Sequence, residues 1–201
     1  MKRIILLIIW VGFIFYSAFI APDGSGSYLS DLLTMNEPDP GLLAMFSLLG
    51  VWPAVFCILL LRSDQGSVPA WPFVLGSFAL GAFSLLPYFI LNRKVERANR
   101  IPEKVQRLLS SKVLAVILML LTIVLMVYGL VAREPGVYEK AFLESNFVHV
   151  MTIDFAVLTV LSIIALRDRD QVSGLAGILP IIGPLIVTMK KQQTIQEDYH
   201  A

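Results

Sequence analysis

The chain alternates between long uncharged apolar runs and short polar connectors. Six runs avoid charge almost completely, at roughly residues 4–21, 42–61, 68–92, 113–132, 147–166 and 171–189. A helix needs about 20 mostly apolar residues to cross ~30 Å of hydrocarbon, and each run approaches or exceeds that length. The runs lack the polar–apolar alternation of barrel strands, and a chain in lipid must satisfy its own backbone. The pattern therefore predicts an all-α fold, a polytopic transmembrane helical bundle of about six segments, forming one integral membrane domain over 1–201. Across all six runs Asp154 is the single acid or base.

Local signals refine these segments. Pro38 and Pro40 precede the second run, and Pro69 and Pro72 open the third, where proline suits a first helical turn. Trp71 and Tyr88 are separated by about 25 Å of helix axis, which predicts aromatic belts at both ends of a third crossing. Ser77 and Gly81 form a small-xxx-small pair that lets helices approach closely. The last run contains Gly174, Gly177, Pro180, Gly183 and Pro184, a pattern for a kinked or re-entrant helix. Met1-Lys2-Arg3 precedes a long bulky run without small residues at a cleavage position, so it reads as an uncleaved membrane helix.

Composition supports a membrane class. Hydrophobic residues make up 57% of the 201 and charged ones 15%, where soluble domains carry about one quarter charged. Mean hydropathy is +0.76, which excludes disorder, coiled coil and a disulfide scaffold. Sixteen bases against 15 acids give a net charge of +1 and no nucleic-acid-binding surface. One cysteine, Cys57, and two histidines cannot build a transition-metal cage. No cofactor motif is present.

The 93–112 loop concentrates Arg93, Lys94, Arg97, Arg100, Lys104 and Arg107 among apolar residues, with Pro102 placed to start a short helix. It reads either as an interfacial helix touching anionic lipid or a partner, or as a solvated connector. Cytoplasmic loops carry the excess of Lys and Arg, which puts this loop inside. Six crossings then divide the bases almost evenly between the two sides. A re-entrant last run makes the division clearer.

Candidate chemistry is confined to residues 144–155. A carboxylate at mid-membrane costs about 2.5–3.5 kcal/mol on insertion scales and normally faces a partner or water, so Asp154 is the first candidate. His149 lies about 140° from it around the helix, nearer the interface, with Glu144 and Asn146 at the helix entrance. Asp154, His149 and Glu144 are therefore the candidate proton-relay, substrate-binding or acid–base groups. The alternative is interhelical hydrogen bonding that fixes packing, worth about 0.6–2 kcal/mol per bond. No hydrolase, zinc-protease or nucleotide-loop signature occurs.

Three stretches carry a family resemblance: Pro38-Asp39-Pro40-Gly41 leading to Phe46 through Pro53; Pro72-Phe73 through Gly76, Gly81 and Pro87-Tyr88; and Glu144-Ser145, Phe147-Val148-His149 and Asp154-Phe155. They resemble a family of multi-span proteins of cyanobacteria and of plant and algal plastids. The resemblance covers most of the chain after about residue 30 and implies a photosynthetic (thylakoid) or plasma membrane more than an activity. The His149-to-Asp154 spacing also looks like a stretch in neoxanthin-synthase-like membrane proteins. Three functions stay open: an accessory or assembly protein of a larger membrane complex; a transporter or channel using Asp154; and an intramembrane enzyme acting on a lipid or isoprenoid through His149 and Asp154. The first leads, with no cofactor and with membrane lipid as the constant partner.

Overall fold

The computed structural model describes residues 2–24, 26–93, 95, 98–170 and 178–198, with backbone alone at 169–170 and 191–198. Among the described residues, four helical stretches are long and apolar enough to cross a bilayer. They are α1 (Lys2–Phe19), α3 (Pro40–Phe56) continued by a wider π-helical turn at Cys57–Leu61, α7 (Lys112–Val131), and Asn146–Asp168 of α9 (Asn146–Asp170). Shorter helices are α2 (Tyr28–Thr34), α4 (Trp71–Leu80), α5 (Ala82–Leu91), α6 (Glu103–Leu109), α8 (Val137–Glu144) and α10 (Ile182–Asp198).

Lipid tails are as apolar as leucine, so packing and close backbone approach hold these helices together. Helix α3 is central: Val51, Trp52, Val55 and Phe56 are all buried. Asp39 starts it, with Oδ1 accepting from the Gly41 and Leu42 amides, a normal use of an N-cap carboxylate. A Cβ on Gly129 of α7 would lie 2.5 Å from the Ala44 side chain of α3, so glycine permits that crossing. Helices α1 and α7 are peripheral. α1 buries only Leu6 and Phe13, and most of its other large apolar side chains face outward.

The 68–92 run is not one crossing. It breaks at Gly81 into α4 and α5, which fold back on each other. Gly81 has φ +51° and ψ −129°, a backbone that glycine adopts readily and other residues rarely do. Ser84 Oγ donates to the Phe73 carbonyl at 2.8 Å, and the Tyr88 ring lies 5.7 Å from that of Phe73. Tyr88 is buried while Trp71 is exposed, so the two do not form opposite aromatic belts. Both ends of the hairpin emerge on one face: the Ser67 amide donates to the Arg93 carbonyl, and the Arg100 amide to that of Asp64.

This hairpin rearranges the charge count. Lys2 pairs with Asp168, and Arg3 donates to the Asn92 carbonyl, which brings the chain start, the hairpin exit and the end of α9 to one face. That face carries Lys2, Arg3, Arg62, Arg93, Arg100, Lys104, Arg107, Lys112 and Arg167. The opposite face has Arg133 and Lys140 among seven acids: Asp23, Asp31, Glu37, Asp39, Glu134, Glu139 and Glu144. The even division expected from six crossings came from sending the 68–92 run across. The short helix after Pro102 is present as α6; Lys94 and Arg97 lie outside the described residues.

In the last run, residues 171–177 also lie outside the described residues. From Leu179 onward the Gly183 amide bonds to the Leu179 carbonyl and the Leu185 amide to that of Ile181. Gly183 and Pro184 fall in the first turn of α10, where a proline lacks no needed amide; they start a helix rather than kink one.

The hairpin makes a direct prediction. In a Cys57→Ser background, Gln65→Cys and Lys104→Cys label with an impermeant maleimide from the same side of sealed vesicles, and Lys140→Cys from the other. Labelling of Gln65→Cys and Lys104→Cys from opposite sides would show that residues 68–92 cross.

Candidate functional site

Asp154 lies eight residues, about 12 Å, into α9. Its side chain is buried, and Oδ1 accepts from the Ala82 amide at 2.8 Å. Ala82 is the first residue of α5, and the first amides of a helix have no partner within it. The carboxylate thus caps a helix that begins at the fully buried Ala82, where no bulk water can serve those amides. The positive end of the α5 dipole adds to the attraction. A Cβ on Gly81 would overlap Asp154 Oδ2. Gly81 does allow a close approach to another helix, but as the hairpin tip rather than as part of a Ser77/Gly81 helix face. Ser77 Oγ bonds within its own helix, to the Val74 carbonyl.

The other end of the hairpin repeats the device. Asp64 is fully buried, and its Oδ2 accepts from the Ala70 amide at 3.0 Å where α4 begins. Arg100 stands 3.7 Å from Oδ1. Of the basic-loop residues, Arg100 therefore serves the hairpin entrance, while Arg93, Lys104 and Arg107 lie on the exposed face of the loop and α6.

His149 is separate from Asp154. Its Nδ1 lies 2.9 Å from the Phe142 carbonyl, which can only accept, so Nδ1 carries the proton. Nε2 lies 2.7 Å from the Tyr16 hydroxyl. The ring stacks on Phe142 with centroids 4.3 Å apart. His149 thereby ties α1, α8 and α9 together at the acidic face. Asn146 Nδ2 donates to the Ser17 carbonyl, and Gly24 packs against the Glu144 carbonyl. The Glu144 side chain is exposed, and no described hydrogen bond joins it to His149 or Asp154. The three candidate acid–base groups do not converge.

A crevice of about 300 Å³ runs between α3, α7 and α9 and ends at Pro180 and Ile181. Its wall is apolar: Ala44, Met45, Leu48, Leu125, Met126 and Phe155 contribute, with Thr122 toward the inner end and Arg133 and Tyr138 toward the acidic face. Thr122 Oγ1 donates to the Leu118 carbonyl of its own helix, so its hydroxyl is satisfied there. The Tyr138 hydroxyl pairs with Thr152 Oγ1 at 2.6 Å, and Thr152 donates on to the Val148 carbonyl. Burial raises the Tyr138 phenol above its ordinary range, partly offset by the Thr152 bond, and leaves a neutral hydroxyl. Among the described residues no three His, Cys, Asp or Glu side chains converge as a metal site.

The crevice and the Asp64 cap were missed by sequence reasoning. Asp64 stands in a polar connector like any other acid. Arg133 had one visible signal, as the first base after the α7 run. No family model, curated protein or solved structure matches this chain.

Proposed function

We propose that the protein is a non-catalytic accessory component of a larger membrane assembly. The observation that carries this reading is the bond from the Ala82 amide to Asp154. The carboxylate that transport or acid–base chemistry would use is engaged in holding a re-entrant helix, and His149 has a partner on each ring nitrogen. What the chain offers outward is apolar helix surface. Ile4, Ile8, Val11 and Phe15 on α1, and Ile117, Val124, Val127 and Val131 on α7, are all exposed, as surfaces that neighbouring helices or lipid can cover.

The excess of Lys and Arg on the face bearing both hairpin ends supports a cytoplasmic or stromal orientation for it. The resemblance in residues 38–53, 72–88 and 144–155 points to a photosynthetic or plasma membrane. A C-terminal tag, extraction in mild detergent, and joint measurement of particle size and protein composition test the proposal. A large particle with stoichiometric partners is expected. A small particle holding only this chain overturns the assembly reading.

A further inference from the structure

We infer that the crevice between α3, α7 and α9 binds the hydrocarbon tail of a single-chain acidic amphiphile, a fatty-acid-type molecule, whose carboxylate rests on Arg133. Four observations lead there. The first is size. About 300 Å³ is at the low end for a ligand pocket. At roughly 30 Å³ for a water-sized group, it admits one chain of about ten carbons and not two.

The second is depth. Thr122 at the inner end and Arg133 at the outer end both line the crevice. Thr122 lies nine residues, about 14 Å along the helix, before the end of α7 at Val131, with Arg133 just beyond, which is about half of the ~30 Å hydrocarbon thickness. The crevice therefore runs from one interface to the middle, the span of one tail in one leaflet.

The third is charge. Arg133 is the charged residue in the lining. Its stem packs over Gly41, where a Cβ would come within 3.2 Å of it. One nitrogen meets Glu139 at 3.4 Å, a long contact that leaves most of the five guanidinium donors for a carboxylate, the group its planar fork fits. A second acid, Asp39, also lies beside Gly41 but is committed to the backbone: Oδ1 takes the Gly41 and Leu42 amides, and Oδ2 the Glu134 amide. It therefore competes little for the guanidinium.

The fourth is backbone strain. Ile181, at the crevice end, is buried with φ +63°. A β-branched residue there is a true outlier, and such strain gathers at ligand sites. Met126 and Leu130 line the crevice and are also exposed on α7, which gives a tail a lateral way in from the bilayer.

Trp52 reports on occupancy, because its ring lies 5.9 Å from that of Phe155 in the crevice wall. The full chain carrying Trp10→Phe and Trp71→Phe is titrated in detergent with a brominated 12-carbon fatty acid. Saturable quenching of Trp52 is expected. The apparent Kd should rise at least tenfold in Arg133→Ala and fall two- to threefold in Glu139→Gln. Saturation should vanish in Thr122→Phe, which fills the crevice. The brominated methyl ester should quench without saturating. Arg133 is substantially exposed, so its alanine variant tests the site even where Thr122→Phe fails to fold. Quenching that is linear and equal in the parent chain and Arg133→Ala, or an ester or brominated phosphatidylcholine that binds as well as the acid, overturns the inference.

Discussion

Replacing Gly81 by alanine is expected to unseat the hairpin and cost several kcal/mol of stability. Two penalties act together. The backbone at φ +51° and ψ −129° charges an L-residue about 1–3 kcal/mol. The new methyl would also overlap Asp154 Oδ2 and lie 2.6 Å from its Cγ. The carboxylate must then withdraw from the Ala82 amide, leaving a helix-start amide buried and unpaired, worth roughly another 1–3 kcal/mol on protein-derived scales. Thermal unfolding in detergent reads the loss, and maleimide labelling at residue 65 reads the hairpin. Gly50→Ala is the matched control, because a Cβ there meets nothing within 4 Å; it should be neutral. If Gly81→Ala is equally neutral, the tip is not built as described.

The crossing helices were legible because hydropathy and length suffice for them. The runs at 42–61, 113–132 and 147–166 correspond to Pro40–Leu61, Lys112–Val131 and Asn146–Asp168. The hairpin was not legible in the same way. An uncharged run of that length looks alike whether it crosses once or goes in and back, because hydropathy records composition and not direction. The turn rests on one glycine among several, and on Ser84 reaching the Phe73 carbonyl. That Asp154 needed a partner followed from its depth in the membrane. Its partner could not be read, because the Ala82 amide becomes an orphan donor only once Gly81 ends the preceding helix. His149 shows the same limit. Its place near the interface was readable, whereas its bond to Tyr16 depends on how α1 docks. The crevice is a property of how three helices fail to close on one another, and no residue pattern announces it.

The Asp154 series separates a cap from a chemical group, because the two roles rank the same variants differently. As a cap, Asp154 needs one acceptor oxygen facing the Ala82 amide, now at 2.8 Å. Asparagine supplies that oxygen at nearly the same size. Asp154→Asn should therefore stay within about 1 kcal/mol of the parent chain, the net worth of an ordinary hydrogen bond. Leucine fills the space but accepts nothing, so the amide stays buried and unpaired, and Asp154→Leu should lose about 2–4 kcal/mol. The hairpin should loosen with it, so an amide at residue 82 exchanges with solvent faster in the leucine variant alone. A proton relay or a cation site ranks the variants otherwise. Asparagine cannot carry the proton or the charge, so both variants would lose function while the asparagine protein kept its fold. Parent-like behaviour of Asp154→Asn in assembly and stability, beside collapse of Asp154→Leu, is the expected result. A folded Asp154→Asn protein that no longer moves a solute the parent moves would return the carboxylate to chemistry and remove the main support for an accessory role.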